Sequence, residues 1–155
     1  MSDAAASRVV ETPFGPLLVR AEEGEITRIT WAPGHGRAED PVLIEAEMQL
    51  VAYFRGARHG FDLPLRVKGG GFQRAVCDEM LTIPFGETLT YGDIARRLDA
   101  PPQAVGQACG GNPIPVVIPC HRVLGATGLG GYSGGQGIET KVALLRHEGA
   151  AGLLI

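Results

Sequence analysis

At 155 residues the chain is long enough for one domain or two very small ones and too short for a large multidomain assembly. Hydrophobic residues at 45% and charged residues at 20% lie close to globular proportions, which excludes a disordered chain. The 14 Lys and Arg against 17 Asp and Glu leave a net charge of -3, so bulk charge does not mark a nucleic-acid binder.

Residues 8–12, 16–21 and 25–31 are rich in β-branched side chains and are separated by Pro13-Phe14-Gly15 and Glu23-Gly24, which predicts a small antiparallel meander. A polar loop over residues 33–40 precedes a predicted helix over residues 41–54, where Leu43, Met48, Leu50, Val51 and Phe54 fall mostly at helical spacing. Residues 61–68 read as extended, and Gly69-Gly70-Gly71 marks the junction to a second part. Three helices are predicted next. Residues 72–81 carry Phe72, Val76, Cys77 and Met80 on one face, residues 90–98 begin with Thr90 as N-cap, and residues 101–109 open on two prolines. Their succession predicts a helix-turn-helix. Residues 112–123 are non-periodic and proline-punctuated, residues 128–137 are dominated by glycine, and a last amphipathic helix is predicted over residues 139–147.

No apolar run approaches the roughly 20 residues that a membrane span needs, so no membrane association is expected. Three cysteines (Cys77, Cys109, Cys120) cannot all pair within the chain, and the first residues have neither a basic nor an apolar stretch, which predicts the reducing cytoplasm. Cys120 stands beside His121 in Pro119-Cys120-His121-Arg122-Val123. A thiol attacks as thiolate, and a nearby cationic imidazole or a base acting through water brings its pKa down from about 8.5. Adjacency in sequence is not contact, and a buried inert cysteine is the other reading of this pair alone.

The wider string changes the balance. Asn112-Pro113, the Pro119-Cys120-His121-Arg122-Val123 segment, Gly131-Tyr132-Ser133-Gly134-Gly135 and Leu144-Leu145-Arg146-His147-Glu148-Gly149 together resemble the O6-alkylguanine-DNA alkyltransferase family. Phe72-Gln73 with Val76, Ile83-Pro84-Phe85-Gly86-Glu87-Thr88, Tyr91-Gly92 and Tyr53-Phe54-Arg55-Gly56 extend the likeness over nearly the whole chain. The resemblance implies an α/β (α+β) fold. Residues 1–68 would form a small ribonuclease-H-like domain with an antiparallel sheet, and residues 69–155 a helical, winged-helix-like alkyltransferase domain.

It also implies direct DNA repair: irreversible transfer of an alkyl group, such as methyl, from O6 of guanine to Cys120, with O4-alkylthymine left open as a second lesion. The partner would be alkylated double-stranded DNA, entered from the minor groove with the damaged base flipped out, and the protein would act once, as a monomer, with no metal or cofactor. By carry-over Cys120 is the nucleophile, His121 its base through a water, Glu148 the carboxylate that orients His121, and Asn112 a support for the turn. Tyr91, Ser133 and the backbone around Val123 would form the base pocket with Lys141 supporting it, Gln103, Ala104, Gly106 and Arg122 would contact DNA, and Arg122 would more readily be a structural hydrogen-bonding residue than a catalyst.

The chain departs from the family where an arginine fills the gap left by the flipped nucleotide; Gln103 stands there, and residues 101–111 hold no Lys or Arg. The phosphate grip is therefore assigned to Arg74, Arg96, Arg97 or Arg122. Cys109 is a candidate second reactive thiol against a plain small-residue role. Three other readings stand beside repair: a relative acting on a free nucleobase or other small molecule, an alkyl-damage sensor, and a helix-turn-helix regulator. The retained Cys120 argues against the sensor, and the lack of a basic surface argues against the regulator.

Overall fold

Alternation along the first two hairpin arms decides which side of the sheet is covered. In the computed structural model, which describes residues 5–152, β1 (Ala5–Val10), β2 (Leu17–Glu22) and β3 (Glu25–Trp31) form an antiparallel sheet in the order β1-β2-β3. Leu17, Val19 and Ala21 of β2 and Ile26 and Ile29 of β3 are buried, while Arg20 and Arg28 face outward. The β2–β3 turn is only two residues long, and Glu23 and Gly24 both adopt positive φ (51° and 81°), the geometry whose twist matches a tight hairpin. Helix α1 (Pro41–Phe54) starts on a proline and buries Leu43, Ala46, Leu50 and Tyr53, one stripe at helical spacing, and it contacts all three strands.

The segment predicted as extended over residues 61–68 makes only one bridge, Leu65 to Ile26, with Ile26 N–H donating to the Pro64 carbonyl at 2.8 Å and Arg66 N–H to the Ile26 carbonyl at 2.9 Å. Pro64 has no N–H for a continuing ladder. Buried Gln49 secures this segment instead, accepting from Asp62 N–H (2.8 Å) and donating to its carbonyl (3.0 Å).

Contacts divide the chain into two units, Met1–Lys68 and Gly69–Ile155. In the second, α2 (Gly71–Leu81) buries Val76, Cys77 and Met80, but Phe72 is 41% exposed. At 3.6 residues per turn Phe72 falls on the edge of the arc centred near Met80, which corrects its expected place in the core. Strand β4 (Leu89–Thr90) leads into α3 (Tyr91–Leu98), which opens on a reciprocal capping box: Asp93 N–H donates to Thr90 Oγ1 (3.0 Å) and Thr90 N–H to Asp93 Oδ2 (2.8 Å). Asp99 in the left-handed region closes α3, and α4 (Pro102–Gly110) follows with a proline in its first turn. These two helices pack together as the helix-turn-helix.

A single 3-10 turn over Cys120–Arg122 runs into β5 (Val123–Leu124), which pairs in parallel with β4. That pairing sets Leu89 against Val123 and so brings Tyr91, the first residue of α3, beside the cysteine turn. Helix α5 (Ile138–Glu148) ends at Gly149 (φ 66°) in a Schellman closure, with Ala150 N–H donating to the Leu145 carbonyl at 2.9 Å. Among the described residues no helix is long and apolar enough to cross a membrane.

Candidate active site around Cys120

Asn112 shapes the chain that carries the cysteine. Its Oδ1 accepts from Ile114 N–H (3.0 Å) and its Nδ2 donates to the Ile118 carbonyl (2.8 Å), so one side chain spans both ends of a proline-rich loop. Ile114, Val116, Val117 and Ile118 are buried, and Val116 is held at φ 73°, a conformation that a β-branched residue adopts only when its surroundings force it. Cys120 N–H then donates to the Ile118 carbonyl (2.8 Å), and the turn delivers Cys120, His121 and Arg122 in sequence.

All three side chains are buried, and two of them converge on the last residue of α5. Glu148 Oε2 lies 2.8 Å from His121 Nε2, and Arg122 binds the same carboxylate in bidentate fashion, Nε to Oε1 at 2.8 Å and Nη2 to Oε2 at 2.9 Å. Arg122 Nη1 donates to the Ile83 carbonyl at 2.7 Å. The two donors hold the Glu148 carboxyl far below the ordinary carboxylate range despite its burial. Burial depresses the His121 pKa, opposed by Glu148, so the resting imidazole is neutral. Its Nε2 carries the proton toward the carboxylate, and Nδ1 keeps a lone pair. Nδ1 is the buried side-chain atom that has no hydrogen-bond partner in the protein among the described residues.

This arrangement decides the roles of Arg122 and Cys120. Arg122 is 6% exposed and its guanidinium is taken up by Glu148 and Ile83, which corrects its expected DNA contact and bears out its reading as a structural hydrogen-bonding residue. The surroundings of Cys120 do not favour a thiolate: burial pushes its thiol up to about 11, more than a hydrogen bond from Asn112 and the charge of Lys141 bring it down. His121 bonds Glu148 and is neutral, so it supplies no cation to Cys120. At neutral pH the resting sulfur is a thiol.

Cys120 opens into a cavity of about 360 Å³ that Tyr91, Gly106, Cys109, Tyr132 and Ser133 also line. Burial raises the Tyr91 pKa, which keeps its hydroxyl protonated; its oxygen accepts from Gly131 N–H at 3.4 Å. Gly130 sits at φ 74° where a Cβ would meet that oxygen at 2.7 Å, so only glycine fits this wall. Ser133 Oγ donates to the Gly110 carbonyl (3.0 Å), tying the glycine-rich segment to the end of α4. Lys141 is fully buried, with Nζ donating to the carbonyls of Val123 (2.6 Å) and Gly131 (2.9 Å), and burial brings its pKa down to about 8. Val123 is fully buried and its carbonyl accepts from Lys141, so the pair braces the segment beside the cavity. Cys109 does share the wall, but burial pushes its thiol up to about 12, which favours the small-residue reading.

An open groove of about 660 Å³ continues from the cavity, sharing Tyr91 and Gly106 with it and bordered by Arg96, Pro102, Gln103 and Gln107. Gln103 is exposed, and Ala104 and Gly106 are partly so. Of the other basic candidates, Arg96 borders the groove and pairs with Asp93, Arg97 pairs with Glu79 at 3.3 Å, and Arg74 donates to the Gly69 carbonyl. Sequence reasoning gave no role to Tyr132 or Gln107. Only the position of Gln107, four residues after Gln103 on the same helix face, signalled it. Gln73, quoted only as part of a motif, donates to the Ala108 carbonyl at 2.8 Å and ties α2 to α4.

A buried thiol in a cavity that continues into a groove along α3 and α4 places this chain in the class of helix-turn-helix proteins with a cysteine at the site. Residues 71–150 match the 6-O-methylguanine DNA methyltransferase, DNA binding domain, and residues 7–67 match the ribonuclease-like domain of the same name. The chain is 39% identical to the methylated-DNA--protein-cysteine methyltransferase of Methanosarcina acetivorans, over 92% of this chain and 97% of that protein. It is 41% identical to the constitutive one of Bacillus subtilis, over 89% and 92%. The crystal structure of Mycobacterium tuberculosis OGT in complex with DNA is similar at a TM-score of 0.83 and 42% identity, covering 93% of this chain and 92% of that one. The chain belongs to the 6-O-methylguanine DNA methyltransferase family.

Proposed function

We propose that this protein repairs DNA directly by moving an alkyl group from O6 of guanine to Cys120. The observation that carries the reading is the pairing of a buried thiol, facing a small cavity, with a Glu148-held imidazole whose Nδ1 has an unspent lone pair. The cavity is at the small end of ligand pockets, which run from roughly 300 to 1,000 Å³. It suits one base and excludes a duplex, so the damaged nucleotide must leave the stack to react, at a cost of a few kcal/mol.

In the reaction the thiol proton passes through a water to His121 Nδ1 as the sulfur attacks. The S–C bond forms while the C–O6 bond breaks, its electron pair staying on guanine, which is restored as the normal base when it is protonated. Glu148 stabilises the resulting imidazolium, and Arg122 keeps Glu148 ionised in its buried place. The Tyr91 phenol is the wall donor that meets charge developing on the leaving base, and Ser133 holds the facing segment. Asn112 fixes the loop that presents Cys120, and the Lys141–Val123 brace holds the wall. The product is a thioether, so each molecule acts once.

Gln103, Ala104 and Gly106 of α4 contact the duplex from its minor groove, a narrow space that suits a helix face of small side chains. The reactive parts all come from residues 69–155 of one chain, which supports action as a monomer, and residues 1–68 form the ribonuclease-H-like domain. Three free cysteines fit a reducing compartment such as the cytoplasm. Intact-mass measurement after incubation with an O6-methylguanine duplex tests the reading: a stable gain of one methyl group by the native protein and none by Cys120→Ala is expected. Equal gain by both would exclude it.

A further inference from the structure

Two side-chain amides on α4 are unspent. Gln49 and Gln73 put theirs into internal hydrogen bonds, to Asp62 and to Ala108 respectively. Gln103 and Gln107, by contrast, are exposed and have no hydrogen-bond partner for their amides among the described residues. They stand one helical turn apart on the same face and both border the groove that continues from the Cys120 cavity. Beside them the surface is bare: a Cβ at Gly106 would meet nothing within 4 Å, so the protein's own packing does not require glycine there. A partner can approach the helix backbone at that point, alongside the two amides.

We propose that Gln103 and Gln107 together read the base pairs next to the lesion, favouring G·C neighbours. The proposal rests on the repair reading above and adds a sequence preference to it. In the minor groove an A·T pair offers only acceptors, adenine N3 and thymine O2, whereas a G·C pair adds the guanine N2 amino donor. A lysine or arginine can answer acceptors alone. An amide carries both a donor and an acceptor, so it can accept from guanine N2–H while donating to a neighbouring N3 or O2. The pair therefore replaces charge with base-edge hydrogen bonding, in keeping with the absence of Lys and Arg over residues 101–111.

The test compares single-turnover methyl transfer to Cys120 from two duplexes, one with O6-methylguanine between G·C pairs and one between A·T pairs. Native protein is set against Gln103→Met, Gln107→Met and the double variant. Methionine keeps the length and helix propensity of glutamine and removes its hydrogen bonds. G·C neighbours also make the stack harder to open, so the readout is the change in the G·C to A·T rate ratio between proteins. That ratio should fall by about tenfold from native to double variant, a discrimination within the range of one good base-edge pair, with each single variant between. An unchanged ratio with transfer still occurring would overturn this inference alone. No transfer from either duplex by the native protein would overturn the repair reading, and this inference with it.

Discussion

The turn that carries Cys120 and the groove beside α4 solve opposite problems. Around the cysteine the fully buried side-chain nitrogens and oxygens of the described residues are spent but for one: Glu148 on His121 and Arg122, Lys141 on two carbonyls, Asn112 on the ends of its loop. The exception is His121 Nδ1, which the chemistry needs. On the groove the order is reversed, with exposed amides unspent and glycine where a larger side chain would fit. Buried polar networks are stable only when complete, whereas a surface that must bind another molecule keeps its hydrogen bonds in reserve. The contrast teaches that reactivity here is withheld until the substrate arrives, because the buried thiol remains protonated in the free protein.

Removing the carboxylate that the buried side depends on gives the largest effect. Glu148→Gln leaves Arg122 without its counter-charge, and breaking a buried pair costs about 3 to 5 kcal/mol, measurable by denaturant unfolding. The alkyl-transfer rate should drop by about 10- to 100-fold as His121 loses its orienting partner. Glu148 also ties stability to acid. Its folded pKa is depressed, so its contribution is full above the ordinary carboxylate value near 4.3 and is lost as pH falls below that toward the folded value. Glu148→Gln should flatten this acid limb; an identical limb in both proteins would remove Glu148 from the network.

The second prediction is of similar reach and concerns the thiol. Labelling of Cys120 by a small thiol reagent in the absence of DNA should titrate well above the ordinary cysteine value of about 8.5, toward about 11, with Cys109 higher still. A Cys120 midpoint below 8.5 would mean that the free protein holds a thiolate. The smallest effect belongs to the exposed side. Gln103→Arg adds a cation beside the groove, so the logarithm of duplex reactivity should fall more steeply with the logarithm of salt, by about 0.9 in slope for one new phosphate contact. The ratio of duplex to free O6-benzylguanine reactivity should rise at low salt. An unchanged slope would take position 103 off the DNA.

Much of this was legible in the residues, and the exceptions share a cause. Helix α1, the Thr90 cap and the two-residue turn at Glu23-Gly24 follow from local pattern, and the structure reproduces them because tertiary context agrees with local preference. The motifs around Cys120, Tyr91 and Glu148 identified the region that the fold assembles. Burial was not legible. Arg122 reads in the sequence as a DNA contact or a structural hydrogen-bonding residue, and its partner is fixed only once α5 brings Glu148 to it. Likewise, the step from Cys120 to His121 suggests activation, but the imidazole points its Nε2 at Glu148 and desolvation governs the sulfur. Residues 61–68 look like a strand by composition, yet they pair only at Leu65. Gln107 went unassigned because a neutral amide leaves no mark in a census of charge.

Locating the transferred group tests the central claim most directly. Native protein reacted to completion with an O6-methylguanine duplex, then digested and sequenced by mass spectrometry, should carry one methyl group per chain, on the Cys120 sulfur, with Cys77 and Cys109 unmodified. A methyl group on Cys109, or full reaction of the duplex with Cys120 unmodified, would contradict it.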